Sequence, residues 1–347
     1  MVSIRGVIKY GQKQIEVDID TPLDKRITIL TGPNLTGKSL VLKCIYTHAK
    51  RAIGRIAQED IKHMLGDLNC QVDRKIDVAI YVDAYRTSIQ LYEYITEEFS
   101  RIKTDLRRLE KWGEAPVNAG ELVESLEKIE DSIKADAALG VSAKKLTDDS
   151  LVVDAYRVLD QLREEYGKAA RSYQLFDDFF PLRISASEKG LTWTDLKTGA
   201  EGRSLLTLST VFSPALVAMY TIYAYAASRH DDVYLLVEEP EAHAHPTLAH
   251  FLGRLAQRLA ERAEEQGLGF RAVYSTHSLD FVLGAYGEHT NVYILRRTQD
   301  KIYSEKEKWD GKKPIPGLTH PGAYDVFVKR SAKEQGQRGP GHPLRHG

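Results

Sequence analysis

The chain has 347 residues, of which 42% are hydrophobic and 28% charged, so it is long enough for one large domain or two ordinary ones with a buried core. Its 48 basic and 49 acidic residues leave a formal net charge of −1, which excludes a global attraction to nucleic acid or membranes but leaves local patches open. Cys44 and Cys70 are too few for a disulfide framework and lack the paired spacing of a zinc site, so we expect reduced thiols in a cytoplasmic protein. No signal peptide is expected, and the longest apolar stretch, residues 215–227, is too short to cross a bilayer.

The amino-terminal part predicts an α/β arrangement. Alternating or continuous apolar residues predict strands at 2–8, 14–19 and 27–30. Apolar residues at helical spacing then predict a helix at 40–51, and a further strand is expected at 75–82.

The middle of the chain has a different character. Apolar residues recur every three or four positions in charged segments, which predicts helices at about 91–112, 121–138 and 151–173. We interpret residues 87–180 as a helical insertion that binds a partner. The alternative is a lid whose apolar stripe packs against the rest of the protein.

Strand and helix signals alternate again after this segment. Strands are predicted at 182–187, 191–194, 233–237, 271–274 and 292–295, and helices at 215–227 and 245–265. Ser213 followed by Pro214 fits the start of the first of these helices. Residues 331–347 contain hardly any apolar side chains and are expected to be disordered.

The sequence GPNLTGKS follows the predicted strand at 27–30 and matches the phosphate-binding pattern G-x-x-x-x-G-K-[ST]. Glycines let backbone N–H groups approach phosphates, the lysine reaches the outer phosphates, and the serine hydroxyl binds Mg²⁺. The nucleotide-binding residues are therefore predicted to be Gly32, Pro33, Asn34, Leu35, Thr36, Gly37, Lys38, Ser39 and Leu40.

Two later segments carry candidate catalytic groups. LLVEEPEAHAHP is a strand that ends in Glu238 and Glu239: one acid suits a magnesium shell, and the other can accept a proton from attacking water. VYSTHS is a strand followed by His277, which could hydrogen-bond a terminal phosphate. A zinc site at His243 and His245 is not expected, since no third or fourth ligand has convincing spacing.

The order of GPNLTGKS, EEPEAHAHP and STHS resembles the ABC-type ATPase heads of the SMC, RecF and OLD group, over residues 1–86 and 182–297. The resemblance implies a P-loop NTPase fold of ABC-head type at 1–86 and 181–330, with the segment 87–180 as a short coiled coil or lid. It assigns Glu238 to Mg²⁺ together with Ser39, Glu239 to the catalytic base and His277 to the switch histidine. Lys38, which binds ATP, is predicted to be catalytic along with Glu239 and His277. The resemblance also implies an ATP-dependent homodimer in which Ser209 contacts the partner's nucleotide, and a protein partner or DNA.

The sequence departs from this group at several positions. The signature region reads TLSTVFSPALVAMY, with Val211 where glycine is expected. The magnesium-sensing glutamine could be Gln58, Gln71 or Gln90, and Tyr10 could stack on adenine. No nuclease is expected, since too little chain follows His277 for the nuclease domain of OLD proteins.

Three functions follow from these patterns. The leading hypothesis is a cytoplasmic ATPase that couples dimer closure to a partner, and the family implies DNA repair, genome maintenance or antiviral defence. The alternatives are an ATP-gated scaffold with negligible hydrolysis and a P-loop kinase.

Overall fold

The computed structural model describes residues 1–10, 13–52, 58–84, 99–109, 120–127, 149–169, 182–187, 190–202, 213–305 and 309–310. The strands in this part of the chain are β1 (Val2–Tyr10), β2 (Lys13–Thr21), β3 (Ile27–Thr31), β4 (Asn69–Val72), β5 (Val78–Val82), β6 (Leu182–Ser187), β7 (Gly190–Asp195), β8 (Glu201–Gly202), β9 (Val233–Glu238), β10 (Phe270–Ser275), β11 (Thr290–Arg297) and β12 (Lys301–Ser304). The helices with defined bounds are α1 (Lys38–Ala52), α2 (Gln58–Leu65), α3 (Asp149–Ala169), α4 (Ser213–Ala227), α5 (Pro246–Glu265) and α6 (Leu279–Ala285). Residues 99–109 and 120–127 are also helical.

A nine-stranded mixed sheet organises the molecule, in the order β4-β1-β2-β12-β11-β3-β10-β9-β5. The strands from β11 to β5 are all parallel to one another. The other end of the sheet contains the antiparallel pairs β1–β4, β1–β2 and β11–β12. Strands β6, β7 and β8 form a separate antiparallel sheet. The predicted α/β fold built on a strand, phosphate loop and helix is therefore confirmed.

Strand β9 is a continuous apolar run because it is buried on both faces, as strands of a parallel sheet usually are. Leu235 and Val237 belong to the core formed with α3, α4 and α5, whereas Tyr234 and Leu236 belong to the core on the α1 side. Helix α4 lies within the first core, and its side chains are buried all round from Ala215 to Ala227. A helix that is apolar on every face is expected to be buried in this way.

Helix α3 corresponds to the third helical segment predicted from the sequence, and its apolar face packs into the core that contains α4 and α5. Asp154, a buried carboxylate on α3, ties the three helices together. It accepts hydrogen bonds from Arg262 at 2.8 Å, from the Tyr225 hydroxyl at 2.8 Å and from Gln266 at 3.2 Å. Burial opposes ionisation of Asp154, but these hydrogen bonds and the Arg262 charge prevail and lower its pKa. The division of the chain into a head and an insertion at 87–180 remains a prediction.

A disulfide joins Cys44 on α1 to Cys70 on β4. The expectation of reduced thiols is thus corrected for this structure. The two cysteines are 26 residues apart, and neither spacing nor composition indicated that β4 lies beside α1.

The remaining differences between sequence and structure concern short or marginal elements. The strand predicted at 75–82 begins at Val78, while α2, β4, β8, α6 and β12 were not predicted. These five elements have eight residues or fewer, and most of them lack the continuous apolar run that made the equally short β3 predictable. Residues 331–347 lie outside the described part of the chain. None of the described helices is long and apolar enough to cross a membrane.

We expect Asp154→Ala to destabilise the fold by about 1–3 kcal/mol, because it removes a buried acceptor and leaves the Tyr225 hydroxyl and the partly exposed Arg262 without their carboxylate partner. Urea unfolding of wild type and variant measures this difference. Asp160→Ala, at an exposed position on the same helix, is the control and should change stability by no more than about 0.5 kcal/mol. Equal stabilities of the two variants would contradict the proposed role of Asp154.

Candidate phosphate-binding site

Three motif-bearing strands end side by side in the sheet. In the parallel register, Ser275 of β10 lies opposite Leu30 of β3 and Glu238 of β9. Two further hydrogen bonds extend these ladders past the strand ends: Glu239 N–H donates to Ser275 O at 2.8 Å, and Thr276 N–H donates to Leu30 O at 3.0 Å. The segments that follow the three strands therefore lie at one edge of the sheet.

A cleft of about 470 Å³ opens at this edge. Its size falls within the usual range for small-molecule sites, roughly 300–1,000 Å³. The residues that line it come from the phosphate loop, both strand ends and the opposite half of the sheet: Ile8, Ile15, Asn34, Leu35, Thr36, Gly37, Lys38, Ser39, Leu40, Lys43, Glu238, Glu239, Ser275, His277, Arg297 and Ile302. Seven of the nine predicted loop residues line the cleft together with Glu238, Glu239 and His277, whereas Gly32 and Pro33 come just before the lining residues in the chain.

Gly32 and Gly37 provide conformations that side chains would block. Gly32 has φ 134°, and a Cβ there would lie 2.2 Å from the backbone oxygen of Leu295. Gly37 has φ 87°, and a Cβ there would lie 2.9 Å from Cδ1 of Ile19. Both positions require glycine because the loop passes close to β11 and β2.

Leu35 is unusual within this loop. Its φ is 60°, a left-handed conformation that non-glycine residues seldom adopt, and its side chain is 65% exposed. The turn is closed by the Thr36 hydroxyl, which donates to Pro33 O at 2.9 Å. The loop thus holds a large apolar side chain at the mouth of the cleft.

Lys38 begins α1 and lies over the loop. Its ammonium group donates to the carbonyl oxygens of Gly32 at 3.0 Å and Pro33 at 2.9 Å. Burial lowers its pKa to about 8, although the nearby carboxylates of Glu239, Glu241 and Glu238 act in the opposite direction. The ammonium form still predominates at neutral pH, and its positive charge faces the acidic end of β9.

Glu238 is held by a residue that no motif identified. The hydroxyl of Tyr81, on β5, donates to Oε1 of Glu238 at 2.7 Å. Burial and the charge of Glu238 raise the pKa of Tyr81, so its hydroxyl stays protonated and acts as the donor. A tyrosine in an apolar strand carries no sequence signal for this role.

Glu239 and the two residues that follow Pro240 form a tight loop. Glu239 has φ 46°, and its carbonyl accepts a hydrogen bond from Ala242 N–H at 2.9 Å. The carboxylate of Glu241 is directed inward and accepts the backbone N–H of His277 at 2.7 Å. Burial raises the pKa of Glu241, whereas its backbone hydrogen bonds act in the opposite direction. Glu241 therefore connects the loop after β9 to the loop after β10.

The His277 side chain lines the cleft and is half-buried. Burial, with a further contribution from the positive charge of Lys38, lowers its pKa to about 4. The imidazole is consequently neutral at pH 7. A neutral imidazole has one N–H donor and one nitrogen acceptor, so it can bind either a phosphate oxygen or a water molecule.

Some of the predicted positions lie outside the described residues, and others lie on described strands and helices. Ser209 and Val211 lie outside the described residues, as does Gln90. Gln58 begins α2 and Gln71 lies on β4 with an exposed side chain, and neither of these glutamines lines the cleft. Tyr10 ends β1.

The site fits a magnesium-bound nucleotide through the chemistry of its donors. Ser39 and Glu238 both line the cleft and supply hydroxyl and carboxylate oxygens, the ligands that Mg²⁺ prefers. No group of three or more His, Cys, Asp or Glu side chains is arranged as a metal site within the described ranges. His245 has a structural role, because its Nδ1 accepts the Thr247 N–H at 3.3 Å and caps α5.

Comparisons with known proteins add structural similarity alone. Neither a family model nor a curated relative matches the sequence. The chain is similar to a nucleotide-free ATP-binding cassette from an ABC transporter, with 15% identity, a TM-score of 0.38, and coverage of 94% of this chain and 99% of that one. It is also similar to an Smc head bound to the C-winged helix domain of ScpA (9% identity, TM-score 0.40, coverage 89% and 97%) and to the SMC head domain from Thermotoga maritima (9%, 0.37, 88% and 97%). With TM-scores this low, the site is assigned from its own geometry.

We expect Gly32→Ala to destabilise the protein by about 2–4 kcal/mol, because the added Cβ would overlap the Leu295 carbonyl in a conformation that is already unfavourable for alanine. Thermal unfolding monitored by circular dichroism would measure the loss. Gly120→Ala is the control: a Cβ at Gly120 meets nothing within 4 Å, so that variant should be as stable as wild type or more so. A wild-type melting temperature for Gly32→Ala would show that the loop does not have this conformation.

The lowered pKa of His277 predicts a pH dependence of stability. The folded protein binds this proton only near pH 4, whereas the unfolded chain binds it near 6.5. The stabilising contribution is therefore complete above pH 6.5 and is lost as the pH falls toward 4. Urea unfolding between pH 4 and 7 should show a smaller loss of stability for His277→Gln than for wild type. Parallel pH profiles for the two proteins would contradict this prediction.

Proposed function

We propose that this protein is an ATPase of the ABC-head type that binds Mg-ATP in the cleft and hydrolyses it. The observation that supports this most strongly is the convergence of Lys38, Ser39, Glu238, Glu239 and His277 on one cleft from three separate parts of the sequence. A glycine-rich loop alone would be compatible with many phosphate ligands. The adjacent pair of carboxylates and the neutral histidine favour hydrolysis of a terminal phosphate.

Each side chain has a distinct task in this proposal. Lys38 supplies a point charge to the outer phosphates, and the loop backbone approaches them closely because Gly32 and Gly37 carry no side chain. Mg²⁺ held by Ser39 and Glu238 would neutralise charge that develops on the phosphate oxygens. Glu239 accepts a proton from the attacking water. His277 donates a hydrogen bond to the terminal phosphate.

The loops that follow β9 and β10 hold Glu239 and His277 in a way that is compatible with these roles. The hydrogen bond from Glu239 N–H to Ser275 O fixes the backbone of Glu239 at the end of β10. Glu241 holds the His277 backbone, so a change at the terminal phosphate would be transmitted through His277 to the segment after β9. Such coupling would suit a protein whose nucleotide state is communicated to a partner.

The quaternary and cellular context is part of the same proposal. An ATP-dependent homodimer, with Ser209 at the partner's nucleotide, and a protein partner or DNA are supported by the order of the motifs. The proposed cytoplasmic location is supported by composition. The Cys44–Cys70 disulfide argues in the opposite direction, because such bonds are more typical of an oxidising compartment.

We expect Lys38→Ala to abolish ATP binding, and Glu239→Gln to retain binding while hydrolysis falls by about 10²–10⁴-fold. The measurements are nucleotide binding by calorimetry and phosphate release, with and without DNA. Lys62→Ala, which removes an exposed lysine on α2, should behave as wild type in both.

The same assays distinguish the other functions. Binding without phosphate release in the wild type would indicate an ATP-gated scaffold. ADP formation that depends on an added phosphate acceptor would indicate a kinase. Wild-type ATP affinity in Lys38→Ala would exclude the loop as the nucleotide site.

A further inference from the structure

Tyr81 links a strand without any recognised motif to one of the two acids of the site. Its hydroxyl donates to Glu238 Oε1 at 2.7 Å. We propose that Tyr81 is a positioning residue that fixes the Glu238 carboxylate for magnesium binding. This inference rests on the proposed function, because it assumes that Glu238 belongs to a magnesium–nucleotide site.

The strand register explains how the contact forms. Strands β5 and β9 are parallel, and Tyr81 is paired with Leu236. Side chains two residues apart on a strand lie on the same face, so Glu238 is the next residue after Leu236 on the face that Tyr81 occupies. The long tyrosine side chain spans this one step and places its hydroxyl at the carboxylate. Phenylalanine would fill the same space without reaching Glu238.

The ring of Tyr81 also contacts helix α1. It packs against Tyr46 on α1, with ring centroids 5.5 Å apart. The Lys50 ammonium lies 5.4 Å from the centre of the Tyr46 ring. Helix α1 also carries Ser39 in its first turn, two helical turns before Tyr46. Helix α1 therefore positions both groups. Ser39 belongs to the helix itself, and Glu238 is linked to it through Tyr81 and Tyr46.

A glutamate has a particular need for such a contact. It has one more rotatable bond than aspartate, and a carboxylate that samples several rotamers loses entropy when it joins a metal shell. A hydrogen bond to Oε1 restricts these rotamers before magnesium arrives. Partners of this kind, which bind the ligands of a metal rather than the metal, typically change metal affinity by about 10–100-fold when they are removed.

The test is Tyr81→Phe, which keeps the ring and removes only the hydroxyl. The readout is binding of a fluorescent ATP analogue as a function of Mg²⁺ concentration, together with the melting temperature. We expect unchanged affinity for the nucleotide in EDTA and an increase of about tenfold in the Mg²⁺ concentration that gives half of the magnesium-dependent effect. Tyr223→Phe is the matched control. It removes a buried hydroxyl from α4 that has no hydrogen-bond partner among the described residues, and it should leave the magnesium dependence as in wild type.

A second variant separates positioning from packing. Glu238→Asp keeps the carboxylate but withdraws it from Tyr81 by one methylene. Tyr81→Phe should therefore change the magnesium dependence much less in the Glu238→Asp background than in wild type, which a double-mutant cycle measures. This comparison also remains informative if Tyr81→Phe lowers the melting temperature, because a packing defect would persist in both backgrounds.

The possible failures are distinguishable. If wild type binds Mg-ATP and Tyr81→Phe has the same magnesium dependence, Tyr81 does not position Glu238 and the proposed function is unaffected. An equal effect of Tyr81→Phe in both backgrounds also overturns the positioning role. If wild type binds no nucleotide at any Mg²⁺ concentration, the proposed function fails, and this inference fails with it.

Discussion

The parallel alignment of β3, β10 and β9 is the constraint on which the site depends. Leu30, Ser275 and Glu238 lie opposite one another in this alignment, so the phosphate loop, the histidine segment and the two acids all begin at the same level. A shift of one strand by a single residue would turn Glu238 to the opposite face and separate it from Tyr81 and α1. The register is fixed by burial on both faces, because each strand would have to place its side chains into a differently shaped core.

Helices α3, α4 and α5, which pack against the parallel strands, are linked to one another by the carboxylate of Asp154. Asp154 gathers donors from α4 and α5, and α5 leads through its carboxyl end to β10. Helix α3 is therefore part of the core that packs against the parallel strands, although in the sequence it lies in the helical middle segment, between the two parts of the chain that alternate strands and helices. Partner binding by the rest of the segment at 87–180 remains a prediction, and it concerns residues other than the buried face of α3.

Linear motifs predict local conformation, and the side chains that they single out line one cleft in the structure. GPNLTGKS specifies a loop between a strand and a helix, and an apolar run that ends in two acids specifies a strand end. The residues singled out in this way, Lys38, Ser39, Glu238, Glu239 and His277, lie together, and their roles remain predictions. Contacts between distant residues carry no such signal. Tyr81 and Glu238 are 157 residues apart, and Asp154 and Arg262 are 108 apart. Nothing in the local sequence of any of these residues distinguishes a buried hydrogen-bonding partner from an ordinary surface or core residue. The same holds for the Cys44–Cys70 disulfide.

Leu35 and Glu239 have left-handed backbone conformations, which lower the stability of the folded protein. A leucine or a glutamate in this conformation costs about 1 kcal/mol or more relative to glycine, and two such residues lie on the rim of one cleft. Evolution toward greater thermal stability alone would favour glycine at both positions. A stabilised version of this protein obtained by screening for heat resistance would therefore tend to lose the carboxylate at 239 and the apolar side chain at 35. Engineering for stability should leave this rim untouched and be directed to the exposed faces of the helices.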